Sequence, residues 1–393
     1  MSGVDRATFR SNPAYDLVLL DRLAPAEREL LADAEDDGDL YGVLRPRPGS
    51  SLEPRTASSE TALLFLTLAE PGPLPAYVVA RLGDELDRTI GRLVLDGVLE
   101  LEHNGEYVCS AQAADLLLGG RSAGGRGRIA ELSVAALRYG QALGDLPEPL
   151  LAARLYLYGR RPVSAALRSR VADGAALDAY LGLAPGGSAR AALDAGWQEA
   201  RSSAEERTYW RHWRPRRTRV ASEPGGVSYK LYVSPATDAL ETAIGTIASS
   251  LAGAPGVAAF KVGSDLHGIC RPDKLVVYFD RLEDLQEGAA LLRERLDGCP
   301  AHGVPFTAAV TQYGLLSWGA DPPARSSTNG AEGGSWRLWV SERLAEYLTL
   351  AHKNRGSGLE PWQFALERLR LAGIDTDTWI PAGGMWPEAF ATA

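Results

Sequence analysis

Apolar and polar positions follow two different rhythms along this chain, and each change of rhythm marks a part. Between residues 58 and 118 the rhythm is first helical. Thr61 to Leu68 is a compact apolar run, Pro71-Gly72-Pro73-Leu74-Pro75 makes a turn, and Ala76 to Leu82 fits a second helix. Asp84 to Asp96 fits a third, with Leu86, Ile90, Leu93 and Val94 at helical spacing, and Gly97 ends it as a helix C-terminal glycine does. The period then shortens to two. Val98-Leu99-Glu100-Leu101-Glu102 and Glu106-Tyr107-Val108-Cys109 read as strands about His103-Asn104-Gly105, and Asn-Gly is a strong signal for a tight hairpin. Three helices followed by a hairpin predict a winged-helix module over residues 58–118.

Residues 129–220 return to helical spacing: Ile129 to Leu143, Pro149 to Tyr158, and three shorter runs ending at Trp197. From 228 to 380 the rhythms alternate. Tyr229-Lys230-Leu231-Tyr232-Val233, Gly256 to Gly263, Lys274 to Phe279 and Gly314 to Trp318 read as strands. Thr237 to Leu251, Asp284 to Leu296, Ser335 to Ala351 and Pro361 to Leu371 read as helices. The expectation is an α+β protein: winged-helix module, helical middle, and C-terminal α+β sheet domain. Residues 1–57 read as an acidic, irregular segment, with five acidic side chains between Asp33 and Asp39. Residues 119–128 form a Gly-rich linker. Its Gly125-x-Gly127-x-x-Ala130 lacks the preceding strand that a dinucleotide fingerprint needs. Residues 319–334 read as a loop, and Trp379 and Trp386 as aromatics of the tail that pack back.

Composition narrows the function classes. At 393 residues the chain needs more than one core. Its 45% hydrophobic and 23% charged residues are those of a globular protein, and no apolar run reaches the ~20 residues of a membrane span. With no secretory pattern at the N-terminus, cytoplasmic residence is the simplest expectation. Cys109, Cys270 and Cys299 fit no zinc spacing, the five histidines do not pair at ligand distance, and no Gly-rich loop ends in Lys-Ser/Thr. No metal and no cofactor are expected. A net charge of −9 argues against general nucleic-acid binding. So do Asp84, Glu85, Asp87 and Asp96 on the third helix, and Glu100, Glu102 and Glu106 on the hairpin, all of which would face phosphates. A winged-helix regulator is therefore the weakest reading. The module also looks like winged-helix elements that hold a peptide leader as an added strand. Arg207 to Arg219 interleaves six arginines with aromatics; it reads as phosphate-binding or as a helix end whose tryptophans pack.

The candidate chemistry is a set of cations in or beside the C-terminal strands: Lys230, Lys261, Arg271 and Lys274, with His267 on the loop before Arg271 and Arg337 on the later helix. Several pieces resemble the HopA-type effector family of bacterial type III secretion. Its relatives include lyase-type partners of kinase-like proteins in ribosomal-peptide (lanthionine-type) maturation. The pieces are Tyr229-Lys230-Leu231-Tyr232, Ala259-Phe260-Lys261-Val262, Arg271 to Tyr278, Val304-Pro305-Phe306-Thr307, Gly314 to Pro323, Gly334 to Arg343 and Leu371 to Asp375. They lie within residues 228–380. Where the family often shows Ser-Phe-Gly before an arginine, this chain has Ser335-Trp336-Arg337. The resemblance implies β-elimination of phosphate from phosphoserine or phosphothreonine in a precursor peptide, with a kinase-like partner protein supplying the phosphate. In that chemistry Lys261 is the base, His267 the acid, and Lys230, Arg271, Lys274 and Arg337 hold phosphate. The other reading is a non-catalytic protein that binds a peptide or a kinase partner.

Overall fold

The computed structural model describes residues 4–25, 28, 31, 38–50, 52–200, 209–217, 228–322, 334–353 and 358–382. The acidic residues 32–37, residues 207–208 and 218–219 of the Arg-rich run, residues 323–333 of the predicted loop, and Trp386 lie outside them. The chain folds as two units, α+β in content: residues 1–122 with 346–373, and residues 123–345 with 374–393.

The first unit contains strands where the sequence suggested none. β1 (Thr8–Ser11), β2 (Tyr15–Leu19), β3 (Leu40–Pro46) and β4 (Arg55–Ser58) all fall in the segment expected to be irregular. β2, β3 and β4 form one antiparallel sheet. β1 inserts between β5 (Gly72–Pro73) and β6 (Leu99–His103), and β7 (Glu106–Val108) completes that second sheet. Four-residue strands are too short to show a period of their own. β1 is held by partners about 60 to 90 positions away, as in Phe9 opposite Gly72 and Leu101. Helices α1 (Ser59–Thr67), α2 (Ala76–Leu82) and α3 (Leu86–Leu95) come before the β6–β7 hairpin, and α4 (Ser110–Leu118) follows it. Ser58 caps α1 by accepting the Thr61 N–H at 3.2 Å. Asn104 and Gly105 both take positive φ, as a tight hairpin of this twist requires. Phe9, Leu64, Leu68, Val78, Ile90, Val94 and Leu99 close the core. The helix Pro361–Leu371, expected in the C-terminal domain, packs in this unit. Phe364 and Leu371 join Leu95 and Ala114, and Arg368 pairs with Asp96 at 3.1 Å.

The second unit opens with five helices: α5 (Arg128–Gln141), α6 (Glu148–Tyr156), α7 (Ala165–Arg170), α8 (Gly174–Tyr180) and α9 (Ser188–Gly196). The helical region stops there. β8 (Trp197–Glu199) and β9 (Trp210–Pro215) are strands, so the described part of the Arg-rich run is not a helix end, and its Arg214, Arg216 and Arg217 are exposed. Trp213 is buried, and Arg211 pairs with Asp178 and Glu199. Then come β10 (Tyr229–Val233), α10 (Leu240–Leu251), β11 (Val257–Gly263), β12 (Leu275–Phe279), α11 (Leu282–Arg295), β13 (Ala308–Ala309) and β14 (Leu316–Ala320). α12 (Trp336–Lys353) begins in this unit, and the hairpin β15 (Ile374–Asp375) with β16 (Ile380–Pro381) ends its described part.

Seven strands pair antiparallel in the order β13-β14-β10-β12-β11-β9-β8. Register assigns the two faces. Trp318, Leu231, Val277, Phe260 and Trp213 stand opposite one another in one row. This face is apolar. Phe260 is stacked by Trp213 at 5.0 Å and met edge-on by Trp197 at 4.8 Å. The Trp197 indole donates to the Ala248 carbonyl of α10, and Phe279 lies against Gly288 of α11. Because successive strand residues alternate faces, the next row lies on the other side. That row runs Ser317, Tyr232, Val276, Lys261, His212, with Lys230 and Tyr278 opposite each other one pleat along.

Over this second face lie Trp336 of α12 and the loop Val304–Thr307. Trp336 sits on Gly319, where any Cβ would run into the indole. Its Nε1 donates to the Phe306 carbonyl at 2.8 Å, and Phe306, at φ 62°, is held by the hydroxyl of Ser133 on α5. Trp379 packs back as expected, against Phe306 at 5.4 Å. Gly319→Ala is expected to cost about 1–3 kcal/mol, as overpacking does, read as a lowered denaturation midpoint at unchanged slope.

Candidate functional site

The site is built on the polar face of the seven-stranded sheet. Lys261 on β11 leans over the Trp210 ring of β9, its Nζ 4.2 Å from the centroid. Tyr278 stands between Lys261 and Lys230, each amine 5.4 Å from its ring. Arg271, from the loop before β12, packs its guanidinium 5.0 Å above Trp210 and 5.3 Å from Tyr156. Arg337, in the first turn of α12, lies 4.9 Å from the same Tyr156. Aromatic faces therefore flank every cation of the cluster, which favours positive charge while excluding water.

Asp273 ties the cluster together. Its carboxylate accepts Arg271 Nε at 2.8 Å and Nη2 at 2.9 Å, pairs with Arg337 Nη1 at 2.9 Å, and accepts the Tyr156 hydroxyl at 3.3 Å. Burial alone would raise its pKa. Arg337 and Arg271 outweigh burial and hold the carboxyl well below the usual range. Arg337 also donates to the Pro305 carbonyl and to the carbonyl of Tyr156, the last residue of α6. It braces Arg271 and Asp273 from behind. Lys230 pairs with Asp321, whose carboxylate also accepts the Trp336 N–H at 2.9 Å.

Lys261 differs from these cations. No hydrogen bond or ion pair to its amine occurs among the described residues, and it is partly exposed. Burial, then repulsion from Lys230, lowers its pKa to about 8. The charge count of the cluster is four cations (Lys230, Lys261, Arg271, Arg337) less two carboxylates (Asp273, Asp321), a surplus of two. With Lys261 protonated the surplus matches a phosphate dianion, and with Lys261 neutral it falls to one.

Two residues predicted for the site lie elsewhere. Lys274 is fully buried four positions before Tyr278. Its amine donates to the Pro235 carbonyl at 2.9 Å and to His302 Nδ1 at 2.8 Å. His302 in turn donates from Nε2 to the Gly159 carbonyl at 2.6 Å. Burial brings Lys274 to about 7 and His302 to about 3, so this is a dry polar joint between loops and is not open to an anion. His267 is exposed on its loop, and no hydrogen bond or ion pair joins it to Lys261 or Arg271 among the described residues. The residues brought together are Lys230, Lys261, Arg271 and Arg337.

Tyr156, Trp210, Tyr232, Asp273, Tyr278 and Asp321 complete the face and were not read from the sequence as site residues. One signal was available. Of 41 basic residues only four are lysine: Lys230, Lys261, Lys274 and Lys353. A chain that otherwise uses arginine for positive charge places two of its four lysines, Lys230 and Lys261, on this face and a third, Lys274, immediately before the neighbouring strand β12. Lysine can give up its proton within reach of neutral pH, and arginine cannot.

Among the described residues no group of His, Cys, Asp and Glu is arranged to hold a metal, and no helix is long and apolar enough to cross a membrane. No family model and no curated protein matches the chain. Its structure is similar to that of an effector protein from Pseudomonas syringae pv. tomato, at 12% identity, 64% of this chain, 97% of that one and a TM-score of 0.40. It is also similar to an effector of Pseudomonas syringae pv. syringae, at 16% identity, 66% and 100% coverage and a TM-score of 0.40. A phosphothreonine lyase effector protein of Chromobacterium violaceum follows, at 12% identity, 43% and 76% coverage and a TM-score of 0.27. With scores this low, these likenesses leave the chain's activity to be argued from its own residues.

Asp273→Asn is expected to destabilise the second unit by about 3–5 kcal/mol, because it leaves two guanidiniums without their counter-charge. A denaturant titration checks this, with Asp16→Asn in the exposed Arg47–Asp16 pair as the control that changes little. Since the folded pKa of Asp273 is depressed, its stabilisation is complete above the unfolded value near ~4 and is lost as pH falls below it. The variant's stability should accordingly depend less on pH in that acid window.

Proposed function

We propose that this protein is a lyase that eliminates phosphate from phosphothreonine or phosphoserine in a peptide. The observation that carries the reading is Lys261. Its amine is free of ion pairs among the described residues, has its pKa lowered to about 8 by burial, and lies between two cations able to hold an anion. Elimination needs a base for the Cα proton and cations for the departing phosphate. Lys261 in its neutral form takes the proton. Arg271, aligned by Asp273, offers its remaining N–H donors to phosphate oxygens, and Lys230 supplies a second charge. Tyr156 and Arg337 fix the orientation of Arg271.

A phosphorylated precursor peptide of ribosomal-peptide maturation is the substrate that the resemblance in residues 228–380 suggests. A kinase-like protein would then supply it. In the same reading the winged-helix-like module holds the rest of the peptide, and the outer edge of β7, at the end of its sheet, is the place to add a strand. A second reading, binding without turnover, is favoured by one observation. Lys230 and Arg271 already have carboxylate partners, Asp321 and Asp273, so the site could seat an anion and do nothing further.

Mass spectrometry on phosphothreonine and phosphoserine peptides separates the two. The lyase reading expects loss of phosphoric acid, leaving a dehydro residue, and no loss with Lys261→Ala. Binding with unchanged mass would favour the second reading. The base assignment also fixes a pH dependence. The lowered pKa means Lys261 is mostly protonated at pH 7, so kcat/KM should rise with pH and level off above about 8.

A further inference from the structure

The leaving phosphate oxygen must take a proton as its bond to Cβ breaks, and the predicted donor, His267, lies on the surface. Another hydroxyl stands on the site's own face. Tyr232 is 2% exposed, and its OH has no hydrogen-bond partner among the described residues. A buried hydroxyl left unpaired costs about 1–3 kcal/mol. A phenylalanine would fill the same space without that cost, since the ring is already packed by Val276, Val304 and Tyr278. The hydroxyl is thus kept where packing gives it no use.

Its surroundings say what it would meet. Tyr232 follows Lys230 by two residues on β10, so the two side chains share a face. In its row, Val276 separates it from Lys261, which places the two backbones about two strand spacings, ~10 Å, apart. The ionisable groups acting on it are Asp321, Arg337, Tyr156 and Asp273, the same groups that frame the cation cluster. Burial keeps its pKa well above the ordinary tyrosine value, so the proton is present throughout the working pH range and the residue cannot serve as the base.

We infer that Tyr232 is the proton donor to the leaving phosphate, with Lys261 the base on the far side of Val276. The inference rests on the lyase reading. Lys261 Nζ takes the Cα proton, and that electron pair becomes the Cα–Cβ double bond. The Cβ–O bond breaks with its pair on the phosphate oxygen, which takes the hydroxyl proton of Tyr232. The tyrosinate is stabilised by Arg337, the cation that acts on Tyr232, and recovers a proton from water, while the Lys261 ammonium gives its proton back. The products are a dehydro residue and hydrogen phosphate, with no oxidant or second substrate needed.

Tyr232→Phe tests this with a change of one atom. The variant should fold at least as stably as the parent, because it removes an unpaired hydroxyl. On a phosphothreonine peptide its kcat should fall by about 10²-fold or more, with KM within a few-fold. On the matching O-sulfothreonine peptide the deficit should shrink, because sulfate is a far weaker base and leaves without a proton. A kcat within twofold of the parent, or an equal deficit for both leaving groups, overturns the assignment while leaving the lyase reading intact. If the sulfate ester is not turned over by the parent, kcat on phosphothreonine decides alone. Failure of the parent to release phosphate from any phosphopeptide overturns the lyase reading itself, and this inference with it.

Discussion

One buried carboxylate holds the second unit's polar face in order. Asp273 meets Arg271 from its own loop, Arg337 from the start of α12, and Tyr156 from the end of α6. The same three segments also meet through Tyr156, whose carbonyl accepts from Arg337 and whose hydroxyl accepts from Arg271. Two guanidiniums brought this close would repel, and the helix that carries Arg337 also carries the tryptophan that lies on Gly319. The charge of Asp273 therefore does two things at once. It fixes the angle of a guanidinium that faces the open side of the site, and it docks α12 on the sheet. Its full burial makes both interactions strong, because little water competes for its oxygens.

The remaining cations are kept apart by rings. Trp210 lies under Lys261 and Arg271, Tyr278 between Lys261 and Lys230, and Tyr156 between the two arginines. Aromatic faces tolerate charge better than aliphatic ones, yet they offer no strong acceptor. That combination leaves an amine desolvated and unpaired, which is the condition for a lysine to lose its proton near neutral pH.

How much of this the sequence discloses depends on the distance over which each feature is specified. The strands carrying Lys230 and Lys261 are legible because alternation is local. The same alternation puts both lysines on one face once the register is known. Arg337 is legible as a cation, though its role as a brace is not. Asp273, two residues from Arg271, is legible as its partner across a turn, but nothing local says that it also takes Arg337 and Tyr156 while Lys274 turns toward His302. Tyr156 and Trp210 enter through tertiary contact across about 50 to 180 positions, where no periodicity reaches. β1, in residues 8–11, is missed for the same reason, since its partners lie about 60 to 90 positions away. Trp210–Pro215 is missed because tryptophan and arginine spacing fits a helix end as well as a strand between β8 and β11.

The scarcity of lysine has a practical chemical consequence. Reagents that acylate or reductively alkylate amines attack the unprotonated form, so they select by basicity and access together. Lys274 has the lower basicity but no access, and Lys230 is held by Asp321. Lys261 combines partial access with a proton held loosely. Limiting reagent at neutral pH would thus mark it before Lys230 and Lys274, and a label there would occupy the space between Trp210 and Tyr278. Such a label would report from the centre of the polar face, with Lys353 and the α-amine the other amines it must be told apart from.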